Sequence, residues 1–540
     1  MTPLEKERIK FLPKSPAILK HLTKIKLIET KTGEPEQDQA ELKKLFPHSY
    51  GKAFIAAKGT SSAKDAKPLK VGVVFSGGQA SGGHNVISGL FDALRQIHPD
   101  SHLIGFLNGP SGIINNQTKP LDEKAIASYR NTGGFDLIGS GRTKIEKSED
   151  LQSSLKTANQ LALDGIVIVG GDDSNTNAAV LAEYFLANKC CTKVVGVPKT
   201  IDGDLRSEDV EITFGFDTAC KIYSELISNL QRDALSAKKY YHFIKLMGRS
   251  ASHIALECAL RTHPNFVLIG EEIQKQNLSL ADIVNKLADI IEKRAAMGKN
   301  FGVFLIPEGL IEFIPELNEL INELNHQLAN IDLAKLATFD EQKKQLLNVI
   351  STKGQKTYNS LPEDIQKQLI LERDPHGNIP VSLIETEKLL SLSVQENLKK
   401  RSAFKGKFNP LHHFFGYEGR CGFPSDFDAT YCYNLGKVAA LLLFNGVTGY
   451  MSCVNHLTAP VEKWEVLGIP LVALMNMEVR KGKNKPVIKK TLVNLKGKPF
   501  QVLHTSREKW ANKDDYQFCG PIQFYGNENL VEGRPLILNN

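Results

Sequence analysis

The stretch KVGVVFSGGQASGGHN, residues 70–85, is a short run of β-branched and aromatic residues that stops at a turn carrying Gly77, Gly78, Gly82 and Gly83. A run this short and apolar reads as a strand buried on both faces. The glycines of the turn, which opens toward a helix, let backbone N–H groups approach an anion closely. The turn is neither a Walker A loop, since no GK[ST] follows, nor a strict GxGxxG. Taken by itself, a tight structural turn would look the same.

The same pattern recurs outward from this stretch. GIVIVG (165–170) precedes GDDSNTN (171–177), KVVGVP (193–198) precedes KTIDGD (199–204), HFIKLM (242–247) precedes GRSASH (248–253), and FGVFLIP (301–307) precedes EGL (308–310). Strand, polar turn and helix in alternation predict an α/β fold with parallel sheets covered on both faces. In such folds ligands collect at the carboxyl ends of the strands, where turns and helix N-termini aim their N–H groups. Each of these polar turns lies at that edge.

Two turns carry more than glycine. Asp172 and Asp173 are adjacent carboxylates among small residues, and paired acids at a strand end suit a hard cation or a proton to be moved. Capping of the next helix by Asp173, Ser174 or Asn175 is the plainer alternative. The turn Pro198-Lys199-Thr200-Ile201-Asp202-Gly203-Asp204 supplies a cation, a hydroxyl and two acids. Phosphoryl transfer needs such parts: a positive charge for the transferring group and a carboxylate to take the acceptor hydroxyl's proton.

The 540 residues are enough for two or three domains. The 67 basic and 60 acidic residues are interleaved, which argues against nucleic acid as a partner, and the +7 balance suits cationic pockets for phosphate. The eight cysteines show no metal or disulfide spacing and read as reduced core thiols. MTPLEKERIKFLPKSP lacks the apolar core of a secretory signal, and no stretch qualifies as a membrane span, so a cytoplasmic enzyme is expected. The most apolar run, Val438 to Met451, reads as a buried helix followed by a turn. Residues 1–68 read as a polar extension ending in a linker. From Pro315 to about Lys400, Ile314, Leu317, Leu320, Ile321, Leu324, Leu328 and Ile331 recur at helical spacing, followed by polar, weakly ordered sequence (351–364) and a second helical stretch (382–401). This helical insertion reads as a cap or an interface.

GGQASGGHN, GGDDSNTNA, PKTIDGD, LMGRSASH, IPEGL and FFGYEGR, in this order, closely resemble the motif series of the phosphofructokinase family, above all its long, pyrophosphate-dependent branch. The resemblance runs from about Leu69 to about Pro470. It implies two Rossmann-like doubly wound domains: residues 69–240 for pyrophosphate and metal, and 241–314 with 401–475 for a sugar phosphate. Residues 315–400 would be the helical insertion, flanked by extensions at 1–68 and 476–540. The implied reaction is reversible, Mg2+-dependent phosphorylation of fructose 6-phosphate by pyrophosphate, in glycolysis or gluconeogenesis.

By resemblance, Asp172 would hold the metal, Gly78 would lie against pyrophosphate and Asp202 would be the general base. Thr200 and Ile201 would belong to the substrate loop. ATP-using relatives typically carry glycine at the positions of Asp173 and Lys199. A carboxylate at 173 would exclude a nucleotide's α-phosphate, while Lys199 would bear on the transferring phosphoryl. Met247, Gly248 and Arg249 match the sugar-phosphate loop, with Arg249 the phosphate clamp. Glu308 matches the acid on a sugar hydroxyl, with helix capping the alternative. Tyr417, Glu418, Gly419 and Arg420 resemble a second loop on the 6-phosphate side. Lys239 and Tyr240 match the segment through which a neighbouring subunit completes the pocket, which implies a homo-oligomer with shared active sites, a homodimer being favoured. Tyrosines at 240 and 417 depart from the arginine and histidine of the bacterial ATP-using pattern. The glycine turn Gly139-Ser140-Gly141-Arg142 is a further candidate donor contact. His84, His253, His412 and His413 show no ligand spacing and, like Trp464 and Trp510, read as structural.

Overall fold

The computed structural model describes residues 3–328, 336–370, 379–480, 483–521 and 535–538. Ile331, expected in the helical insertion, lies outside them. Within those residues the chain divides into two compact units, one taking in 3–222, 417–491 and 535–538, the other 223–416 and 492–521.

In chain order the strands are β1 (Ile25–Glu29), β2 (Ile55–Gly59), β3 (Lys70–Ser76), β4 (His102–Phe106), β5 (Thr118–Pro120), β6 (Gly165–Gly170) and β7 (Lys193–Pro198). Then follow β8 (Tyr241–Leu246), β9 (Phe266–Val267), β10 (Gly302–Pro307), β11 (Pro410–Phe415), β12 (Tyr450–Asn455) and β13 (Glu465–Pro470).

The first unit holds a nine-stranded sheet in the order β1-β2-β13-β12-β7-β6-β3-β4-β5. Its centre is parallel: β3 pairs with β4 and β6, β6 with β7, and β7 with β12. β6 and β12 are buried at every position, as a strand covered on both faces must be. The outer strands pair antiparallel. Residues 1–68, expected as a polar extension ending in a linker, supply β1 and β2 to the edge of the sheet. Residues 417–475, expected with the sugar-phosphate half, fall in the first unit because β12 hydrogen-bonds to β7 and β13 to β2.

Two helices of this unit, Gly83–Ile97 and Asp426–Phe444, pack face to face where glycine removes the side chain. A Cβ on Gly89 would stand 1.9 Å from the Tyr433 carbonyl oxygen, and one on Gly436 would stand 2.1 Å from that of Val86. The second helix ends in the apolar run of the sequence and turns at Gly446 and Gly449, both with positive φ, into β12. Among the described residues no helix is long and apolar enough to cross a membrane.

The second unit holds a parallel sheet in the order β11-β8-β10-β9. The insertion forms helices Pro315–Gln327, Phe339–Val349, Thr352–Ser360, Glu363–Leu369 and Thr386–Lys399. Leu317, Leu320, Leu324, Leu389 and Val394 share one core with Tyr241, Phe243 and Phe304 of the sheet. Residues 351–364, expected to be weakly ordered, contain one whole helix and the start of a second. Ser351 caps the first by accepting from Gly354 N, and the wholly buried Tyr358 donates its hydroxyl to the Gln366 carbonyl (3.0 Å). All eight cysteines are free, but Cys191 and Cys421 are exposed, so only some are core thiols.

The glycine contact between the two long helices gives a direct test. Gly436→Val should destabilise the first unit by roughly 1–3 kcal/mol through overpacking, read as a lowered thermal midpoint. A midpoint equal to that of the parent protein would refute the contact.

Candidate functional site

Three turns of the first unit are tied together at the carboxyl ends of β3, β6 and β7. Ser174 Oγ donates to Ser76 Oγ (2.8 Å), Lys199 N to the Gly170 carbonyl (2.9 Å) and Gly77 N to the Gly141 carbonyl (2.9 Å). Ser140 Oγ donates to the Gly77 carbonyl (2.6 Å), bringing the glycine turn 139–142 into the set. The buried Asn175 amide donates to the carbonyls of Gly170 (2.6 Å) and Gly171 (2.9 Å). Gly196 leaves room for it, since a Cβ there would meet Asn175 Oδ1 at 2.1 Å. The helix Asp172–Ala187 starts from Gly171 without a side-chain cap, Ser174 bonding to the turn after β3 and Asn175 to the carbonyls that precede its own helix.

Asp172 and Asp173 stand in the first turn of that helix, on its positive end. Asp173 is the more exposed, with 42% of its side chain accessible, and pairs with Lys144 at 3.3 Å. Asp172 is 24% accessible and faces Lys490 Nζ at 3.4 Å; the same ammonium lies 3.7 Å from the buried Asp204 carboxylate. One ammonium thus bridges two carboxylates that a divalent cation can share. Among the described residues no three His, Cys, Asp or Glu side chains cluster as a metal cage. Magnesium does not need one: it binds through one or two carboxylates plus substrate phosphates and keeps several waters, so this donor set fits it.

Lys199 is buried beneath the glycine turn, and a Cβ on Gly77, whose φ is +89°, would come within 3.3 Å of its Nζ. Burial pushes its pKa down to about 8, and the Arg420 charge adds to the push. The carboxylates of Asp202 and Asp172 oppose it, with Arg142 adding a weaker push downward. Arg420 lies over Gly78, where a Cβ would meet its guanidinium nitrogen at 2.5 Å, and over the ring of Tyr417. Arg420, expected on the 6-phosphate side, therefore stands against the glycine turn after β3. Its neighbour Gly419 is buried, whereas Glu418 and Tyr417 are exposed. Thr200 Oγ1 accepts from Asp202 N (3.1 Å) and the Thr200 carbonyl accepts from Thr213 Oγ1 (2.9 Å), while Ile201 is buried, so the turn that presents Asp202 is fixed from three sides.

In the second unit, Met247, Gly248 and Arg249 follow β8. Glu308 is buried and its carboxylate accepts from Gly248 N (3.0 Å), so it shapes this loop and does not cap the following helix, which starts from Gly309. A Cβ on Gly309 would overlap the Arg249 carbonyl at 1.8 Å. Arg249 is 38% accessible and pairs with Glu312 at 3.2 Å. Lys239 and Tyr240 stand at the opposite end of β8, the Lys239 ammonium 5.0 Å from the Tyr240 ring centroid. Six residues of strand put about 20 Å between them and the Met247–Arg249 loop.

Of the histidines set aside in the sequence, His84 is buried against Thr132 Oγ1 (2.9 Å) and His412 bonds Ser391 Oγ (2.7 Å). Lys144, Asp204 and Lys490 join the site unassigned by sequence reasoning. Asp204 was visible in its motif; the two lysines lie in unremarkable charged stretches.

Residues 70–443 match the family described as Phosphofructokinase. A Porphyromonas gingivalis protein named pyrophosphate–fructose 6-phosphate 1-phosphotransferase is 49% identical over 535 residues, covering 98% of this chain and 97% of its own. The Arabidopsis thaliana protein named as beta 1 subunit of that enzyme is 52% identical over 518 residues, covering 95% of this chain and 89% of its own. Among solved structures, the pyrophosphate-dependent phosphofructokinase of Marinobacter aquaeolei has a TM-score of 0.54 at 16% identity, covering 86% of this chain and 98% of that one; this likeness concerns the fold alone.

The low pKa of Lys199 sets a pH dependence. The side chain is a cation below about 8 and neutral above, so an anion held by it should lose affinity as pH rises through that value. Titrating binding of inorganic pyrophosphate between pH 6.5 and roughly 9.5 should show this step, and Lys199→Met should remove it. A step that survives Lys199→Met would assign it to another group.

Proposed function

The chain belongs to the phosphofructokinase family, and from that premise we propose that it transfers a phosphoryl group from pyrophosphate to O1 of fructose 6-phosphate, reversibly, giving fructose 1,6-bisphosphate and orthophosphate. Near-full-length identity of about one half to enzymes named for this reaction supports the substrates. The observation that carries the choice of donor is the presence of both a partly exposed carboxylate, Asp173, and a buried cation, Lys199. A carboxylate at the mouth of the donor turn repels the α-phosphate that ATP would have to place there, and pyrophosphate has no such group.

The residues divide the work as follows. Gly77 and Gly78 bring backbone against the donor, and Lys199 and Arg420 face the phosphoryl in flight, where negative charge must be held. Asp202 takes the proton of the O1 hydroxyl as oxygen attacks phosphorus, and orthophosphate leaves. Thr200 holds the turn that carries it, and Ile201 anchors that turn in the core. Asp172 would hold magnesium, which would supply charge to neutralise phosphate oxygens. Met247, Gly248 and Arg249 receive the sugar phosphate, with Arg249 exchanging Glu312 for phosphate, and Glu308 fixes their loop. Tyr417, Glu418 and Gly419 carry Arg420 to its place.

Lys239 and Tyr240, at the far end of β8 from that loop, serve the pocket of a second copy. The protein is a homodimer with shared active sites and works in the cytoplasm.

A coupled assay with either donor tests the choice. Turnover with pyrophosphate and magnesium, and none with ATP, is the expected result; the reverse would overturn it. Asp173→Gly combined with Lys199→Gly should admit ATP while lowering the pyrophosphate rate.

Sharing of sites has its own test. Asp202→Asn should lower kcat by roughly 10²–10⁴-fold, and Lys239→Glu should impair the pocket of the neighbour. Hybrids of the two variants contain one intact pocket, so co-expression should restore activity that neither shows alone. Absence of complementation in hybrids demonstrated by mass would refute the sharing.

A further inference from the structure

Lys490 lies beyond the residues that match the family description, in the segment after a C-terminal hairpin formed by β14 (Met475–Arg480) and β15 (Lys483–Ile488). That segment is fastened to the donor turns from both sides. Ile488 N donates to Thr176 Oγ1 (3.1 Å) on the helix that starts at Asp172, and Lys489 N donates to the Leu474 carbonyl (2.9 Å). Thr491 N donates to the Asp204 carbonyl (2.7 Å) and its hydroxyl to that of Arg206 (2.5 Å). The backbone on either side of Lys490 is therefore held by the elements that carry Asp172 and Asp204. From there its ammonium reaches the two carboxylates, at 3.4 Å and 3.7 Å.

We propose that Lys490 is a further donor-binding residue, whose ammonium stands in the cation position between Asp172 and Asp204 in the free protein and moves onto pyrophosphate oxygens when the metal-bound donor arrives. Two neighbouring carboxylates without a cation repel each other, and the ammonium balances them at a distance short enough to hold their orientation. Asp172 and Asp204 would hold a divalent ion arriving with the donor in place of the ammonium. Magnesium-bound pyrophosphate still carries net negative charge, and the displaced lysine stays within reach of it on a flexible four-carbon stem. Lys199, Arg420 and Arg142 are set in or against the strand-end turns; Lys490 alone of these cations comes with the C-terminal hairpin. The hairpin thereby contributes to affinity for the donor.

The inference rests on the donor reading above, so the test has one arm that needs no turnover. Mn2+ alone, titrated into the donor-free protein and followed by electron paramagnetic resonance, should bind Lys490→Met several-fold more tightly than the parent, because the competing ammonium is gone. In the second arm, the KM for pyrophosphate should rise by roughly tenfold in Lys490→Met with the KM for fructose 6-phosphate unchanged, and Lys490→Arg should recover most of it. A merely structural lysine would weaken metal and donor together or leave both unchanged, and either result overturns the proposal. A parent protein inactive with pyrophosphate would sink the donor reading while the Mn2+ arm still decides whether Lys490 competes for the carboxylates.

Discussion

A cation kept away from water shapes the first unit's site. Removing an ammonium from solvent costs several kcal/mol unless opposite charge is near, and Lys199 is buried with two other cations in its field. The carboxylates of Asp202 and Asp172 offset that cost in part, which leaves the site short of negative charge. The turns follow from this need. Gly77 meets its φ of +89° without strain, Gly78 leaves the space that Arg420 occupies, and the serine and backbone bonds between turns keep the cations from drifting apart. An anion with oxygens on more than one phosphorus is the natural complement.

The second unit reaches its loop geometry by different means. Its carboxylate, Glu308, is buried and satisfied by the Gly248 amide, so the loop after β8 has its shape before any ligand binds. Arg249 instead remains accessible and pairs with Glu312. A loop whose backbone is already fixed lowers the ordering cost of binding any ligand.

The sequence makes the chemistry of the turns legible because glycine, paired acids and a lysine within seven positions have few other uses. Asp172, Asp173, Lys199 and Asp202 could be singled out on type and spacing. The partners Lys144 and Lys490 could not, since a lysine reaching a carboxylate across about 30 positions, or some 300, leaves no local trace. The parallel centre of the first sheet was equally legible from its apolar runs. Its outer strands were not: IKLIE and IAAKG read as polar extension because half of each faces solvent. In the insertion, Thr352–Ser360 escapes a reading by periodicity because its single large buried side chain, Tyr358, lies among polar neighbours.

The order of strands in the first sheet also sets a clock. β7 ends at Pro198, yet β12, which pairs with it, begins at Tyr450, about 250 residues later. At the usual pace of roughly 5–20 residues per second, a ribosome takes some ten to fifty seconds to deliver that partner. During this time the edge of β7, buried in the finished protein, has no strand to bond. The interval is long for an apolar strand edge, which readily recruits other chains. Recovery of the protein from its producing cell should therefore depend on translation speed across residues 199–450 as much as on the stability of the folded form.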